Sequence, residues 1–348
     1  LDSTDLATIP RAGSPNSEKN PSSAGAGIAP LISDLDNLII YDSPWLKATA
    51  PRVDSTPEFE MIECLREAQF DAAVIFTVYS QNPLPSAFMC YIAGIPLRLA
   101  HCHENPYQLL TDWIKDPEPD QFIRHEVQRQ LDLVAQVSCL SSSDAQSERM
   151  RLQVPTIAQQ RVSQLLQEHG IDRDRPWVVI HPGATAPSRR YPAESFAIVA
   201  GQLVQEVGMQ VMFTGTPSEQ DLVDSIRSAM VAPSHSLVNE LSLSEMVALL
   251  DMAPLLISNN TGPVHIAAAV GTPVVDLYAL TNPQHTPWAV PHRVLFHDVP
   301  CRNCYKSICP EGHHHCLRLV TPEAVVQAAL ELLNQTSPQE VEVLSSKF

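Results

Sequence analysis

The sequence lacks any run of about 18 apolar residues, the least a membrane-spanning helix needs, and its first residues do not form a signal peptide. A cytoplasmic protein is expected, with any membrane role limited to peripheral association at the inner face, on a lipid-linked substrate. Positive charge is also in short supply: 22 Lys and Arg stand against 39 Asp and Glu, a formal net charge of -17. That excludes the broad basic face of a nucleic-acid binder. It leaves room for a small phosphorylated ligand, because a local pocket can oppose the global charge. Eight cysteines in 348 residues are too few and too uneven for a secreted disulfide framework. Four are scattered (Cys64, Cys90, Cys102, Cys139) and four cluster at 301–316. The start also lacks an apolar strand, residues 1–30 being rich in Pro, Ser, Gly and Asn.

What is present is an α/β alternation in a chain long enough for two domains, with 44% apolar residues to fill their cores. In the first half, Leu38–Tyr41 reads as a strand, Glu58–Gln69 as a helix, Ala72–Val78 as a buried strand, Ser86–Ala93 as a helix and Ile95–Ala100 as a strand. His101–Pro119, with His101, His103, Tyr107 and Trp113, reads as loop, and Phe122–Val137 as a helix carrying His125, Arg129 and Asp132 near its polar side. A linker is expected at 138–174, with one helix inside it at Thr156–His169. In the second half, strands are expected at Trp177–Ile180 and Met209–Phe213 and helices at Pro192–Val207, Gln220–Ala229 and Ser242–Ala253, the last with the capping box Ser242 and Glu245. Pro322–Leu333 is the last helix, with Thr321 as its cap.

The chain is organised around Ser258–Ala269. The apolar run Leu255–Leu256–Ile257 ends in polar residues, then Thr261–Gly262–Pro263 opens a small-residue helix that stops at Gly271. A strand, a tight turn and a helix start leave backbone N–H groups without partners inside the helix, and such groups favour a phosphate. Two more loops follow apolar strands, at 181–191 and 214–219. In an open parallel sheet, loops after the carboxyl ends converge on the ligand crevice. Arg189 and Arg190 suit a diphosphate, Glu219 suits a ribose, and Thr216 lies in the same loop.

His181–Pro182–Gly183–Ala184, Arg189–Arg190–Tyr191–Pro192 and Asn260–Thr261–Gly262–Pro263–Val264–His265 together resemble glycosyltransferase family 9, the ADP-heptose:lipopolysaccharide heptosyltransferases. Tyr41–Asp42–Ser43–Pro44–Trp45 and the strand at 72–78 fit the same pattern less specifically. The resemblance implies a GT-B fold, two Rossmann-like domains facing a cleft, here with an N-terminal domain incomplete or divergent at its start. It implies an acceptor domain at 1–160, a donor domain at 171–320 containing the Cys-rich segment 301–316, and a helix and tail at 321–348. The implied activity is inverting transfer of a heptose or related sugar from a nucleotide-diphosphate donor, an ADP-sugar in the family's characterised members, to a glycan or lipid-linked acceptor.

Residue by residue, the resemblance places Arg189 at a phosphate-binding position and Thr261 and Gly262 at the donor diphosphate. Glu219 falls near the residue expected to meet the ribose. Asn260 stands where some members have Asp, and Pro263 and His265 complete the motif. The family's general base is an Asp in a glycine-containing loop after the first strand. That loop form is missing, and Asp5, with Asp2 as second choice, resembles its shortened remnant. The carboxylate would take the acceptor hydroxyl's proton. Arg189 and the helix start would stabilise the leaving diphosphate, with no cofactor required for catalysis.

Cys301-x2-Cys304-x4-Cys309-x6-Cys316, with His313, His314 and His315 inside it, could hold a structural zinc or an iron–sulfur cluster, or form a reduced cysteine-rich loop. Arg302 and Lys306 on that segment are candidates for the acceptor side. Two alternatives to the transferase are open at this point. One is a non-catalytic relative that binds nucleotide sugars or glycans. The other is a GT-B-type sugar-nucleotide epimerase, which needs acidic and histidine groups around the sugar.

Overall fold

The computed structural model describes residues 26–46, 50–137 and 148–336. The expected bases Asp2 and Asp5 lie outside the described residues. Contacts divide the chain into two compact units, Leu1–Glu148 and Arg149–Phe348.

In the first unit, helix α1 (Thr56–Glu67) precedes strand β1 (Ala72–Ile75), helix α2 (Leu84–Ile92) and strand β2 (Leu97–Cys102). Strand β3 (Asp112–Lys115) and helix α3 (Glu126–Ala135) follow. The strands form a parallel sheet in the order β1-β2-β3. Its core is Ile75, Ala87, Ala100, Cys102 and Leu110. The strand expected at Leu38–Tyr41 does not form. Ile39, Tyr41 and Trp45 instead pack on Leu65, Met89 and Ile95, and the Tyr41 hydroxyl donates to Glu58 Oε1 at 3.0 Å. This apolar stretch is used for side-chain packing rather than for a ladder. Conversely, β3 lies inside 101–119, which reads as loop, and Asp112-Trp113-Ile114-Lys115 is short with a charged residue at each end. The side chains of Asp112 and Ile114 are only half-buried, and those of Trp113 and Lys115 are exposed. Arg98 fixes the entry to β2: its guanidinium donates to the carbonyls of Leu109 at 2.7 Å and Gln108 at 3.0 Å.

The second unit begins with helix α4 (Thr156–Glu168). This helix, expected inside the connection, buries Val162, Leu165 and Leu166. Strand β4 (Trp177–His181), helix α5 (Ala193–Gln205), strand β5 (Gln210–Phe213) and helix α6 (Gln220–Ala229) follow. Then come β6 (His235–Ser236), α7 (Leu243–Met252), β7 (Leu256–Asn259), α8 (Gly262–Val270), β8 (Val274–Leu277) and β9 (His292–Leu295). A short helix α9 (His315–Arg318) and α10 (Pro322–Thr336) complete the described chain. The six strands are parallel in the order β6-β5-β4-β7-β8-β9.

Every residue of β4, β5, β7 and β8 is buried. Successive side chains point to opposite faces of a sheet, so both faces must be covered. Ile180, Phe213, Ile257 and Leu277 pack in one core with Phe196, Leu203, Ile226 and Leu332 from α5, α6 and α10. Val179, Met212, Leu256 and Val274, one residue out of phase, are equally buried on the other side, where α4 meets α7 and α7 meets α8. The strand order reverses beside β4, so the loops after β4 and β7 diverge to opposite sides of the sheet and leave a crevice between them.

Helix ends follow local chemistry. Ser242 and Glu245 form the expected reciprocal cap, with Ser242 N–H donating to Glu245 Oε2 at 2.7 Å and Glu245 N–H to Ser242 Oγ at 3.3 Å. Gly271 ends α8 at φ 89°, a left-handed conformation that favours glycine. Replacing Ser242 with Ala removes one of the cap's two bonds. Equilibrium urea unfolding is expected to show a loss of about 1 kcal/mol, with the m-value unchanged.

Candidate functional site

The site of the second unit is built on Asn259, the last residue of β7, whose side chain is fully buried. Its Oδ1 accepts the Tyr191 N–H at 2.9 Å, and its Nδ2 donates to the Pro182 carbonyl at 2.7 Å. One amide therefore closes both ends of the loop that follows β4 and holds it against β7. Its backbone carbonyl accepts from Ser258 Oγ at 2.8 Å and Thr261 Oγ1 at 3.2 Å, which shapes the turn into α8.

Thr261 caps α8 with an extended backbone, φ -148°, yet its side chain does not bond the helix N–H groups. Pro263 has no N–H, and the Val264 N–H already donates to the Thr261 carbonyl at 3.0 Å. The Thr261 and Gly262 amides are left as donors at the positive end of the helix. A β-carbon on Gly262 would meet nothing within 4 Å, so the approach to these amides is open.

The Arg189 side chain enters this region from the loop after β4. It lines a small cavity with Asn260, Tyr278, Thr281, Asn282 and His285. Among the described residues no carboxylate pairs with Arg189. Arg190 points elsewhere: its Nε donates to the Ala184 carbonyl at 2.7 Å and braces its own loop. Asn260 is held by two bonds from Nδ2, to Asp276 Oδ2 at 3.0 Å and to the His285 carbonyl at 2.7 Å. His265, on the first turn of α8, meets the His285 ring edge-to-face at 6.5 Å.

Glu219 and Thr216 are engaged in a local cap. The Glu219 carboxylate accepts from the Thr216 N–H at 2.7 Å and the Thr216 hydroxyl at 2.9 Å. It lies directly over Gly183, where a β-carbon would fall 1.8 Å from Oε1. A side chain at 183 would displace the carboxylate, so this glycine is what lets the loops after β4 and β5 meet. Behind them His181 is buried, with Nδ1 3.0 Å from the Thr214 hydroxyl. Burial pushes its pKa down, and the ring is neutral.

The Cys-rich segment docks on the same loops. Ser188 donates through N–H to the Ser307 carbonyl at 3.1 Å and through Oγ to the Lys306 carbonyl at 2.8 Å. The Tyr305 N–H donates to the Thr281 carbonyl at 2.8 Å. Arg302 and Lys306 are exposed, and Arg302 pairs with Asp298 at 3.3 Å. The zinc or iron–sulfur reading of Cys301, Cys304, Cys309 and Cys316 is not shown. Among the described residues no three His, Cys, Asp or Glu side chains are placed to hold a metal. Cys301 Sγ stands 3.8 Å from His313 Nε2, and burial pushes the Cys316 thiol up.

Comparison with known proteins places the chain in a family. The profile of glycosyltransferase family 9 (heptosyltransferase) matches residues 59–315. The chain belongs to this family. It is 27% identical to lipopolysaccharide heptosyltransferase 2 of Escherichia coli (strain K12) over 279 residues, 78% of each chain. It is 28% identical to lipooligosaccharide heptosyltransferase 2 of Haemophilus ducreyi over 277 residues, 76% of this chain and 77% of the relative. Among solved structures, a family 9 glycosyl transferase from Veillonella parvula superposes with a TM-score of 0.70 at 20% identity, covering 89% and 86% of the two chains. E. coli ADP-heptose LPS heptosyltransferase II gives 0.59 at 26% identity, covering 80% and 81%. The fold is GT-B, and the protein is a glycosyltransferase rather than a binding relative or an epimerase. Among the described residues no helix is long and apolar enough to cross a membrane.

Sequence reasoning names Asn260, Thr261, Gly262 and Arg189, and the structure brings them together. It misses Asn259, Ser188, Tyr278, His285 and Asp276. Asp276 leaves a signal, an acid inside the apolar strand Val274-Val275-Asp276-Leu277. The Asp276 side chain is fully buried and its Oδ1 has no hydrogen-bond partner. Burial raises its pKa to about 8, only partly opposed by the bond from Asn260.

Two outcomes follow for these polar residues. Asn259→Ala unlatches the loop carrying Arg189 and leaves two buried backbone groups unpaired, so ADP affinity measured by calorimetry is expected to fall at least tenfold. For Asp276, the folded chain holds a proton that the unfolded chain has already released. The stability from its neutral form is complete below the ordinary carboxylate range and is lost as pH rises toward about 8. Urea unfolding is expected to show wild type weakening relative to Asp276→Asn over that window, with the gap constant above it. A gap that does not vary with pH contradicts the assignment.

Proposed function

We propose that this glycosyltransferase moves a heptose or closely related sugar from an ADP-linked donor to a glycan or lipid-linked acceptor of the lipopolysaccharide type, with inversion at the anomeric carbon. The observation that carries the reading is the convergence of an unpaired guanidinium, Arg189, with the donor motif Asn260–Thr261–Gly262 and the open helix start. The named substrates come from relatives, E. coli lipopolysaccharide heptosyltransferase 2 and the ADP-heptose enzyme of known structure.

In this reading the donor diphosphate lies on the Thr261 and Gly262 amides, with Arg189 beside it. As the bond from the anomeric carbon to the phosphate oxygen breaks, negative charge grows on the leaving nucleotide. Fixed donors and a cation already in place stabilise it without reorganising. These groups supply the charge that a divalent metal supplies in other nucleotide-sugar enzymes, so catalysis needs no metal. Glu219, whose carboxylate Thr216 already holds in position, is the acceptor for ribose hydroxyls. Pro263 and His265 set the shape of the helix start. Arg302 and Lys306, exposed on the segment docked at Ser188, are the candidates to meet acidic groups of the acceptor. Such an acceptor brings the enzyme to the cytoplasmic face of the membrane as a peripheral protein.

A transfer assay over a panel of nucleotide sugars tests the reading, using a deacylated lipopolysaccharide core as acceptor. ADP-heptose is expected to be the preferred donor, with nucleotide release coupled to transfer. Arg189→Ala is expected to weaken ADP binding about 10- to 100-fold, the loss of one charge-assisted contact to phosphate. Turnover with no donor in the panel contradicts the proposal.

A further inference from the structure

The segment after β9 holds four of the chain's eight cysteines between 301 and 316, and the donor reading uses none of their sulfurs. One of them has a fixed partner. Cys301 Sγ stands 3.8 Å from Nε2 of His313. The His315 backbone N–H donates to the other ring nitrogen, Nδ1, at 3.0 Å. A backbone N–H can only donate, so Nδ1 carries the lone pair and the proton of the neutral ring is on Nε2. The ring is also stacked on His315, with centroids 4.1 Å apart and planes 13° apart. Tautomer and orientation are both set, and the N–H faces the Cys301 sulfur. A donor at that place favours the thiolate, the nucleophilic form of cysteine.

The other thiols differ. Burial pushes the Cys316 thiol up, and Cys309 and Cys301 are near enough to push it the same way. Burial also pushes up Cys64 and Cys102 in the first unit. Cys316 is thus a neighbour of Cys301 that keeps its proton, the character of a thiol that attacks second. Cys301 and Cys316 are free thiols and only half-buried, so a small reagent reaches them.

The chain between these two cysteines is fastened to the donor loops. The Asn303 N–H donates to the Leu280 carbonyl at 2.6 Å and the Tyr305 N–H to the Thr281 carbonyl at 2.8 Å. Asn303 and Tyr305 both take a left-handed backbone, φ 58° and 54°, which side-chain-bearing residues keep only where contacts impose it. Ala279, Thr281 and Asn282 line the cavity that Arg189 enters. The anchors at 303 and 305, and those at 306 and 307 on Ser188, all lie inside the ring that a bond between Cys301 and Cys316 closes.

We propose that Cys301 and Cys316 are a thiol pair oxidised by low-molecular-weight disulfides of the glutathione type, and that closing the bond loosens the donor cavity. The second half of this inference rests on the donor reading above; the first half does not. Cys301 releases its proton to solvent, and its sulfur attacks one sulfur of the small disulfide. That S–S bond breaks, and the departing thiolate takes up a proton. Cys316 then loses its proton and attacks the Cys301 sulfur, expelling the second small thiol, which is protonated in turn. Two protein thiols are oxidised, one small disulfide is reduced, and protons lost equal protons gained. The new bond holds the sulfurs about 2 Å apart and draws on the anchored segment from both ends.

The test exposes the reduced full chain to glutathione disulfide under native conditions and maps the products by mass spectrometry. Wild type is expected to form the Cys301–Cys316 link ahead of any other. Cys316→Ser stops at the mixed disulfide on Cys301, and Cys301→Ser leaves Cys316 unreacted over the same time. His313→Ala slows the first step about tenfold at neutral pH, with the circular dichroism of wild type. The linked chain binds ADP several-fold more weakly by calorimetry, and dithiothreitol restores the affinity. Cys301→Ser reacting as fast as wild type, a link joining another pair, or zinc or iron bound to the isolated protein and shielding the four thiols overturns the thiol pair. A Cys301–Cys316 link that leaves ADP affinity unchanged overturns its control of the donor cavity. ADP binding by neither form overturns the donor reading and leaves the thiol pair standing.

Discussion

The proposed donor site depends on a single carboxamide. Asn259 accepts from Tyr191 N–H and donates to the Pro182 carbonyl, so that the loop between β4 and α5 is gripped at both ends. A buried amide is costly unless it is satisfied, and here both of its ends are. The same residue terminates β7 and offers its carbonyl to Thr261, so one position sets both the loop that carries Arg189 and the turn that opens α8. The parallel ladder supplies the frame for this. β4 and β7 are neighbours, with Ile180 opposite Ile257 and His181 opposite Ser258, so the ends of these strands emerge side by side.

The electrostatics of the pocket follow from what surrounds that grip. A chain with net charge -17 would bind a doubly phosphorylated ligand against its own overall field. In the proposed reading an uncompensated guanidinium and two free amides at a helix start supply the opposing charge. Asp276, behind Asn260, is buried so deeply that its charged form is disfavoured, and it accepts a bond from Asn260. The resemblance to family 9 notes Asn260 in place of an Asp. In this chain a buried carboxylate on β8, Asp276, accepts from that amide and holds it in place.

Much of the second unit was legible in the amino-acid order. Its strands are short apolar runs followed by turn residues, and its helices carry recognisable ends: Ser242 with Glu245, Gly271 after α8, Pro322 at the start of α10. Arg189, Thr261 and Gly262 could be named because a loop after a buried strand has a known destination. Residues that act through the third dimension could not. Asn259 sits at the end of an apolar run and matters because of Pro182 and Tyr191, far away in sequence. Ser188 matters because a segment more than a hundred residues later docks on it. In the first unit, Leu38–Tyr41 has the composition of a strand but packs through side chains, while Asp112–Lys115 forms a strand despite its polarity. The cysteine spacing suggested a metal, and among the described residues no three ligand side chains are grouped to hold one.

The central claim is that a nucleoside diphosphate binds on the helix start that Asn259 and Thr261 shape. The most direct measurement is a crystal structure of the protein soaked with ADP. The account predicts the diphosphate within hydrogen-bond distance of the Thr261 and Gly262 amides and of the Arg189 guanidinium. A diphosphate bound elsewhere, with Arg189 turned away from it, would contradict the account.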